Sequence, residues 1–194
     1  MLEKDVQKII NAIHNDDLNE ITFLLEKYKL NDINNIRYKS DTFLMIASKH
    51  GNLDIVNLFI KYGANINLYN NFGLNALIHA TIYNHVNIVA LLIENKSNIN
   101  VANNYGITAL MIASGNGFQH IVSLLLDNQA EINKVDNLKG YTALHSAILY
   151  NRANIVALLL NNKANISILC KNGVSPLTYA KKNNLINIIT LLEK

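Results

Sequence analysis

The sequence has only one cysteine, one proline and no tryptophan among its 194 residues. A lone cysteine cannot form a disulfide within the chain, and its presence is compatible with a reducing compartment. No apolar run reaches the roughly 18 residues that a membrane-spanning helix needs, and the charged N-terminus lacks the apolar stretch of a signal peptide. We therefore expect a soluble, cytoplasmic protein without membrane contact, with delivery into a host cell by an intracellular microbe as the alternative localisation.

The sequence also lacks a large excess of positive or negative charge. The formal net charge is +3, and lysine and arginine are interspersed with acidic residues instead of forming blocks. A basic patch for phosphates and a phosphate-cradling glycine loop are both missing, so nucleic acid is not an expected partner. Half of the residues are apolar, which is enough for a continuous core. The composition is that of a globular protein.

What the sequence does contain is an internal repeat. A hexapeptide that ends in alanine returns with successive starts 33, 33, 34 and 33 residues apart, at Thr42, Asn75, Thr108, Thr142 and Ser175. A pair of β-branched residues returns in the same register, beginning at positions 55, 88, 121, 155 and 188. Two markers that share one period indicate a repeat architecture. A sixth, degenerate unit precedes these, with a loop two residues longer around Leu30 and Asn31.

Each unit has the pattern of a helix pair. The hexapeptides open with Thr, Asn or Ser, whose short side chains cap helix starts, and Pro176 follows its cap at the position where proline is tolerated. The second run, as in residues 88–93, spaces apolar side chains three and four apart, which predicts a second helix. Short segments between units open with Asn and close with Gly, as β-turns do, at residues 70–73, 103–106 and 137–140.

This arrangement resembles the ankyrin repeat family, whose units have 33 residues, a β-turn, two helices and the motif Thr-Pro-Leu-His-x-Ala. The resemblance covers roughly residues 5–194. It implies an all-α solenoid of helix pairs joined by β-turn fingers, in a single domain over residues 1–194. The expected units are an N-terminal cap at 5–36, repeats at 37–69, 70–102, 103–136 and 137–169, and a C-terminal cap at 170–194.

Some positions depart from the family pattern. Only His145 keeps the motif histidine, which in the family bridges the threonine hydroxyl and the backbone of a neighbouring turn. We expect no such bridge from the residues in its place, which are Met45, Ile78, Met111 and Thr178.

The family's glycine after the second helix is kept only at Gly63. If its replacements take the left-handed backbone themselves, each costs about 1–2 kcal/mol; these are Lys96, Gln129 and Lys163. The alternative is that the asparagine one residue earlier adopts that conformation, at Asn95, Asn128 and Asn162. In the turns, Ser40 replaces the glycine of the second unit and Cys170 the opening asparagine of the sixth.

Residues that could carry chemistry are present but not grouped. His79 and His85 lie six residues apart, in different parts of one helix pair, and form no metal-ligand spacing. No histidine or acid is placed beside Cys170 to activate it as a nucleophile. We therefore expect no catalytic residue, no metal and no cofactor.

The resemblance does imply a partner-binding surface. Ankyrin proteins contact partners mostly through the turn residues beside the turn glycine and the exposed end of the first helix, which line the concave face. Six of the nine tyrosines fall at these positions, and tyrosine is amphipathic, stiff and enriched in binding surfaces. The structural alternative is that tyrosine tolerates half-exposed turns and that rings of adjacent fingers pack together. The expected contact residues are Tyr38, Lys39, Asp41, Tyr69, Phe72, Tyr83, Tyr105, Lys139, Tyr141 and Tyr150, flanked by Asn71, Leu74, Asn104, Ile107, Leu138 and Leu149 and extended by Lys49, His50, Asn116, Lys171 and Lys182.

These observations predict a non-catalytic, monomeric protein-interaction module of the scaffold or effector type, which binds a protein or extended peptide on its concave face. The positive charge of the lysines on this face favours an acidic partner. A modifying enzyme or enzyme-regulatory subunit is one alternative; nucleic-acid binding, with a steep salt dependence, is the other. The residue inserted within 134–139 lengthens one turn, either as a partner contact or as drift in a tolerant loop.

Overall fold

A computed structural model describes residues 3–28 and 33–193, and these form twelve α-helices. The chain divides into two compact units, one that ends at Asn98 and one that begins at Ile99. The longer loop expected around Leu30 and Asn31 lies outside the described residues. The first unit contains α1 (Glu3–His14), α2 (Leu18–Lys27), α3 (Phe43–His50), α4 (Leu53–Lys61), α5 (Ala76–Ile82) and α6 (Val86–Glu94). The second contains α7 (Ala109–Asn116), α8 (Gln119–Asp127), α9 (Ala143–Leu149), α10 (Ala153–Asn161), α11 (Pro176–Lys182) and α12 (Ile186–Leu192).

Helix pairs repeat along both units, as the sequence predicts. In the first unit α3 packs against α1 and α5, while α4 packs against α2 and α6; in the second, α9 packs against α7 and α11, and α10 against α8 and α12. Within the described residues no strand forms, and the extended contacts are two isolated bridges, Tyr38 with Asp41 and Ala102 with Thr108. The predicted all-α repeat of helix pairs is confirmed.

The first helices begin at the predicted caps. The side chain of each cap accepts a hydrogen bond from the backbone N–H three residues on, with oxygen–nitrogen distances of 2.9 to 3.3 Å. Such a cap contributes about 0.5–2 kcal/mol, because the first N–H groups of a helix have no partner within the helix. The caps are Thr42, Asn75, Thr108, Thr142 and Ser175.

The β-branched pair that marks the repeat is the buried face of the second helices. Ile55, Val56 and Phe59 of α4 are fully buried. Their counterparts in α6, α8 and α10 are buried too, at residues 88, 89 and 92, then 121, 122 and 125, then 155, 156 and 159. Burying a side chain of this size contributes about 1.5–3 kcal/mol, so the repeated face supplies much of the stability of each unit.

The left-handed residues after the second helices are the long side chains and not the asparagines. Lys96, Gln129 and Lys163 have φ of +67°, +66° and +65°. The alternative assignment to the preceding asparagines is wrong, because these have φ of −87°, −100° and −94°. Each asparagine instead donates its side-chain amide to a carbonyl in the last turn of its helix, at 2.8 to 2.9 Å, from Asn95 to Leu91, Asn128 to Leu124 and Asn162 to Leu158.

A second set of asparagines ties neighbouring helix pairs together. Their side-chain oxygens accept from backbone N–H groups 31 or 32 residues further on, at 2.6 to 2.8 Å. Because these asparagines are themselves 33 residues apart, each occupies the same place in its own pair. The pairs so joined are Asn34 with Asn65, Asn67 with Asn98, Asn100 with Glu131 and Asn133 with Asn165.

Candidate partner-binding surface

An asparagine side chain shapes each of two fingers. Asn70 Oδ1 accepts hydrogen bonds from the backbone of Phe72 at 2.9 Å and Leu74 at 3.0 Å. Asn103 Oδ1 accepts from Tyr105 and Ile107, both at 3.0 Å. These internal bonds fix the turn, as is usual for asparagine at a turn start. The rings of Phe72 and Tyr105 are held at the surface as a result, with 62% and 54% of their area exposed.

In the next finger the residue that organises the turn is Asp136, and the prediction that Asn137 opens it is wrong. The carboxylate of Asp136 is buried and accepts from the backbone of Leu138 at 2.7 Å, Lys139 at 2.6 Å and Tyr141 at 3.1 Å. The inserted residue therefore lies inside the turn, after Asp136. The backbone N–H of Asn137 instead donates to the Tyr105 carbonyl of the preceding finger at 2.8 Å.

The first finger is a tight two-residue turn. Tyr38 and Asp41 exchange backbone hydrogen bonds of 2.9 and 3.0 Å. Lys39 and Ser40 between them have φ of +50° and +76°, the pattern of a hairpin turn that glycine or asparagine usually fills. Ser40 thus takes the backbone conformation of the glycine it replaces.

Two further tyrosines lie at the C-terminal ends of the first helices of their pairs. Tyr83 follows α5, where its ring stacks on the His85 ring at 6.2 Å between centroids. His85 Nε2 lies 3.1 Å from the Lys49 carbonyl, which gives this histidine a structural role. Tyr150 follows α9 and its ring lies over Gly115, where an added Cβ would come within 3.2 Å of the ring.

A groove of about 420 Å³, here called the first groove, brings four predicted residues together in the first unit. They are Tyr38, Lys39, Asp41 and Tyr83. The extending residues Lys49 and His50 also line it, while His14, Ile10 and Ile46 complete it without having been predicted. These additional residues come from α1 and α3. The feature of the sequence that could have identified them is their position in the repeat.

Among the described residues that line the first groove, Asp41 is the acid, and its carboxylate contacts two side chains of the next helix pair. Asn70 donates its amide to Asp41 Oδ1 at 2.6 Å, and His79 Nε2 lies 3.7 Å away. Burial acts to raise the pKa of Asp41, but the interactions with His79, Asn70 and Lys49 outweigh it and lower that pKa. Asp41 is therefore held ionised as part of the packing between two pairs.

A second groove, of about 370 Å³, lies in the second unit and is more apolar. It brings together the predicted Lys139, Tyr141 and Tyr150. The flanking predictions Ile107, Leu138, Leu149 and Asn116 line it as well, with Met111, Ile112, Gly115, Asp136 and Ser146. Leu138 and Tyr150 are 52% and 59% exposed, so the apolar lining is open to a partner.

Tyr141 is more a packing residue than a surface residue. Its ring stacks on His145 at 5.4 Å with an angle of 8°, and burial raises the pKa of its hydroxyl. His145 Nδ1 lies 2.9 Å from the Thr142 hydroxyl, which is the expected contact. Burial lowers the pKa of His145, and the Val174 backbone in the next turn acts against it.

Two other residues at the motif-histidine position contact their own caps. Met45 Sδ accepts from the Thr42 N–H at 3.5 Å, and the Thr178 hydroxyl lies 2.9 Å from that of Ser175. Both contacts are made within one cap, because a sulfur or hydroxyl three residues after the cap residue can reach it. Neither contact is the bridge to a neighbouring turn, so they do not contradict the prediction that this bridge is missing.

Three predicted residues lie outside both grooves, two of them within fingers and the third directly before the finger that Asn70 opens. They are Tyr69, Phe72 and Tyr105, which are 67%, 62% and 54% exposed. Among the described residues, no group of three His, Cys, Asp or Glu side chains is placed to hold a metal. None of the helices in the described ranges has the length and hydropathy to span a bilayer.

Helix pairs repeated every 33 or 34 residues, with turns projecting between them, define a helical repeat protein. The chain belongs to the ankyrin repeat family: the family model described as ankyrin repeats (3 copies) matches residues 8–70, 44–136, 91–171 and 110–194. Members of this family are generally protein–protein interaction modules and are typically non-catalytic. A search of curated proteins finds no match to the chain.

Proposed function

We propose that this chain is a non-catalytic module that binds a protein or an extended peptide through its fingers and the ends of its first helices. It would act as a monomeric scaffold or effector in the cytoplasm, with neither nucleic acid nor membrane as its ligand. The observation that carries the proposal is a set of large aromatic side chains that remain exposed although the backbone beneath them is fixed by hydrogen bonds, namely Phe72, Tyr83, Tyr105 and Tyr150.

Fixed, exposed rings are favourable for binding because little entropy is lost when a partner covers them. The structural alternative was that tyrosine rings pack on one another between fingers. Among the described residues, the ring–ring contacts of the predicted tyrosines are with histidines, Tyr83 with His85 and Tyr141 with His145. Such contacts hold one face of a ring and leave Tyr83 47% exposed, which supports a binding role over a purely packing one.

The test is quantitative affinity capture with the intact chain and with a variant carrying Tyr83→Ala, Tyr105→Ala and Tyr150→Ala. Removing anchors of this kind costs about 1–2 kcal/mol or more each, so the variant should lose its specific partners. Circular dichroism establishes that the variant folds.

Phe23→Ala is the matched control, because Phe23 is as exposed as Tyr105, at 54%, but lies on the second helix of its pair. This control should capture the same partners as the unmodified chain. Equal capture by the triple variant and the unmodified chain would show that the proposed surface is not used.

A further inference from the structure

Two lysines in the first groove are each held beside an aromatic ring. Lys39 Nζ lies 5.4 Å from the centroid of the Tyr38 ring, and Lys49 Nζ lies 5.7 Å from that of Tyr83. Both distances are within the roughly 6 Å at which a ring face attracts a cation. The two ammonium groups are therefore positioned along the groove, although both lysines are exposed.

Among the described residues, neither lysine forms an ion pair, although the charge of Asp41 interacts with that of Lys49. The ion pairs of the described residues are His50 with Asp16, His79 with Asp41, Lys134 with Glu131 and Lys181 with Glu193. Asp41 lines the same groove, but its carboxylate is engaged by Asn70 and His79. The groove thus presents two cations whose hydrogen-bonding capacity is available to a ligand.

Apolar side chains form part of the floor of the first groove. Ile10 and Ile46 line the groove and are 1% and 7% exposed, and the ring of Tyr83 forms part of its wall. A ligand that satisfies the groove needs acidic groups for the lysines and an aliphatic group for the floor. A nucleic acid would meet only two cations here and would place its charged backbone against isoleucine, which is unfavourable.

We propose that the first groove binds an acidic peptide segment of a partner protein, in which an aliphatic residue is flanked by glutamate or aspartate. This inference rests on the proposed function and names the chemistry of the partner at one part of the surface. The aliphatic side chain lies against Ile10 and Ile46, and the flanking carboxylates pair with Lys39 and Lys49.

The probe is a fluorescent peptide with one leucine between two pairs of glutamates, measured by anisotropy with the intact chain. Lys39→Gln and Lys49→Gln should each weaken binding about two- to five-fold, as expected for a solvent-exposed ion pair, and the double variant about ten-fold. Lys61→Gln is the matched control: it removes the same charge from α4, outside the groove, and should leave affinity nearly unchanged. Added salt should weaken binding to the intact chain more than to the double variant.

Two comparison ligands separate the possible outcomes. A peptide with glutamines for the glutamates should bind about ten-fold more weakly; equal binding would overturn the inference. A single-stranded RNA of equal charge that displaces the peptide at lower concentration would also overturn it. If the acidic peptide does not bind at all, this inference is wrong, while the proposed function is judged separately by the variant at Tyr83, Tyr105 and Tyr150.

Discussion

At the scale of single residues, the backbone is strained where a residue with a long side chain adopts the left-handed conformation. Lys163 has φ of +65° at the place where the family has glycine, and Gly63 occupies the equivalent place with φ of +82°. Lys163→Gly removes a steric cost of about 1–2 kcal/mol but adds about 0.5–1 kcal/mol of chain entropy to be lost on folding. We predict a net gain in the free energy of unfolding of about 0.5–1 kcal/mol, measured by urea denaturation.

The neighbouring Asn162 is the control for that prediction. Its backbone is already right-handed, with φ of −94°, and its side chain donates to the Leu158 carbonyl at 2.9 Å. Asn162→Gly should therefore lower stability by about 0.5–1 kcal/mol. Opposite signs for these two variants are expected; a gain from Asn162→Gly and none from Lys163→Gly would contradict the structure.

Asp41 gives a prediction about pH. Its pKa is lowered in the folded chain, where the interactions with His79 and Asn70 outweigh the effect of burial. A carboxyl of this kind contributes stability above its unfolded pKa and loses that contribution as the pH falls through the lower, folded value. Between about pH 5 and pH 3, the free energy of unfolding should fall less steeply in Asp41→Asn than in the unmodified chain. Parallel curves in denaturant titrations would show that Asp41 has no such role.

At the scale of elements, the longest finger depends on one carboxylate. Asp136 accepts three backbone hydrogen bonds within the turn, so Asp136→Ala leaves three N–H groups without their partner. We predict a loss of about 2–4 kcal/mol in the free energy of unfolding, and a smaller loss for Asp136→Asn, which keeps an acceptor. Chemical denaturation followed by circular dichroism measures both.

Asn137→Ala distinguishes the observed turn from the one that the sequence predicted. The described contact of Asn137 to the previous finger is made by its backbone N–H, which alanine also has. This variant should lose less than about 1 kcal/mol. If Asn137→Ala lowered the free energy of unfolding as much as Asp136→Ala does, the turn that opens at Asn137, as the sequence predicts, would be the correct one.

The elements that the sequence predicts well are those specified by local chemistry. Cap residues such as Thr108 act three residues away, and buried pairs such as Ile121 and Val122 follow helix periodicity, so both are readable from the repeat. The register around Asp136 could not be read in the same way, because Asp and Asn in succession both suit a turn start. In the structure Asp136 accepts the bonds of the turn, while the Asn137 N–H donates to the preceding finger.

The candidate site is less predictable than the fold for a related reason. The resemblance to ankyrin repeats predicts Tyr38, Lys39, Asp41 and Tyr83 as contact residues, but it does not predict the contacts of Asp41 with Asn70 and His79, each of which joins residues 29 or more apart along the chain. Their contact depends on how two helix pairs stack. Exposure also separates residues that the sequence treats alike, since Tyr141 packs on His145 while Tyr150 stays 59% exposed.

At the scale of the whole molecule, each unit combines a repeated core with its own groove. The single domain over residues 1–194 stays a prediction, as do the cap and repeat boundaries. The core residues are similar from pair to pair, whereas the groove residues differ: the first groove has Lys39 and Lys49, and the second has Leu138 and Leu149. We therefore expect the exposed residues, and not the repeat itself, to determine the choice of partner.

The most direct measurement is photocrosslinking from one finger tip in the presence of cell extract. Benzoylphenylalanine placed at Tyr105 should crosslink to a partner protein, because that position lies within the proposed contact surface. The same photoreactive residue placed at Phe23, equally exposed on α2, should give no specific product. Specific crosslinks from position 105 alone are the result we predict. Equal labelling from both positions, or specific labelling from position 23 alone, would contradict the proposal that the fingers bind the partner.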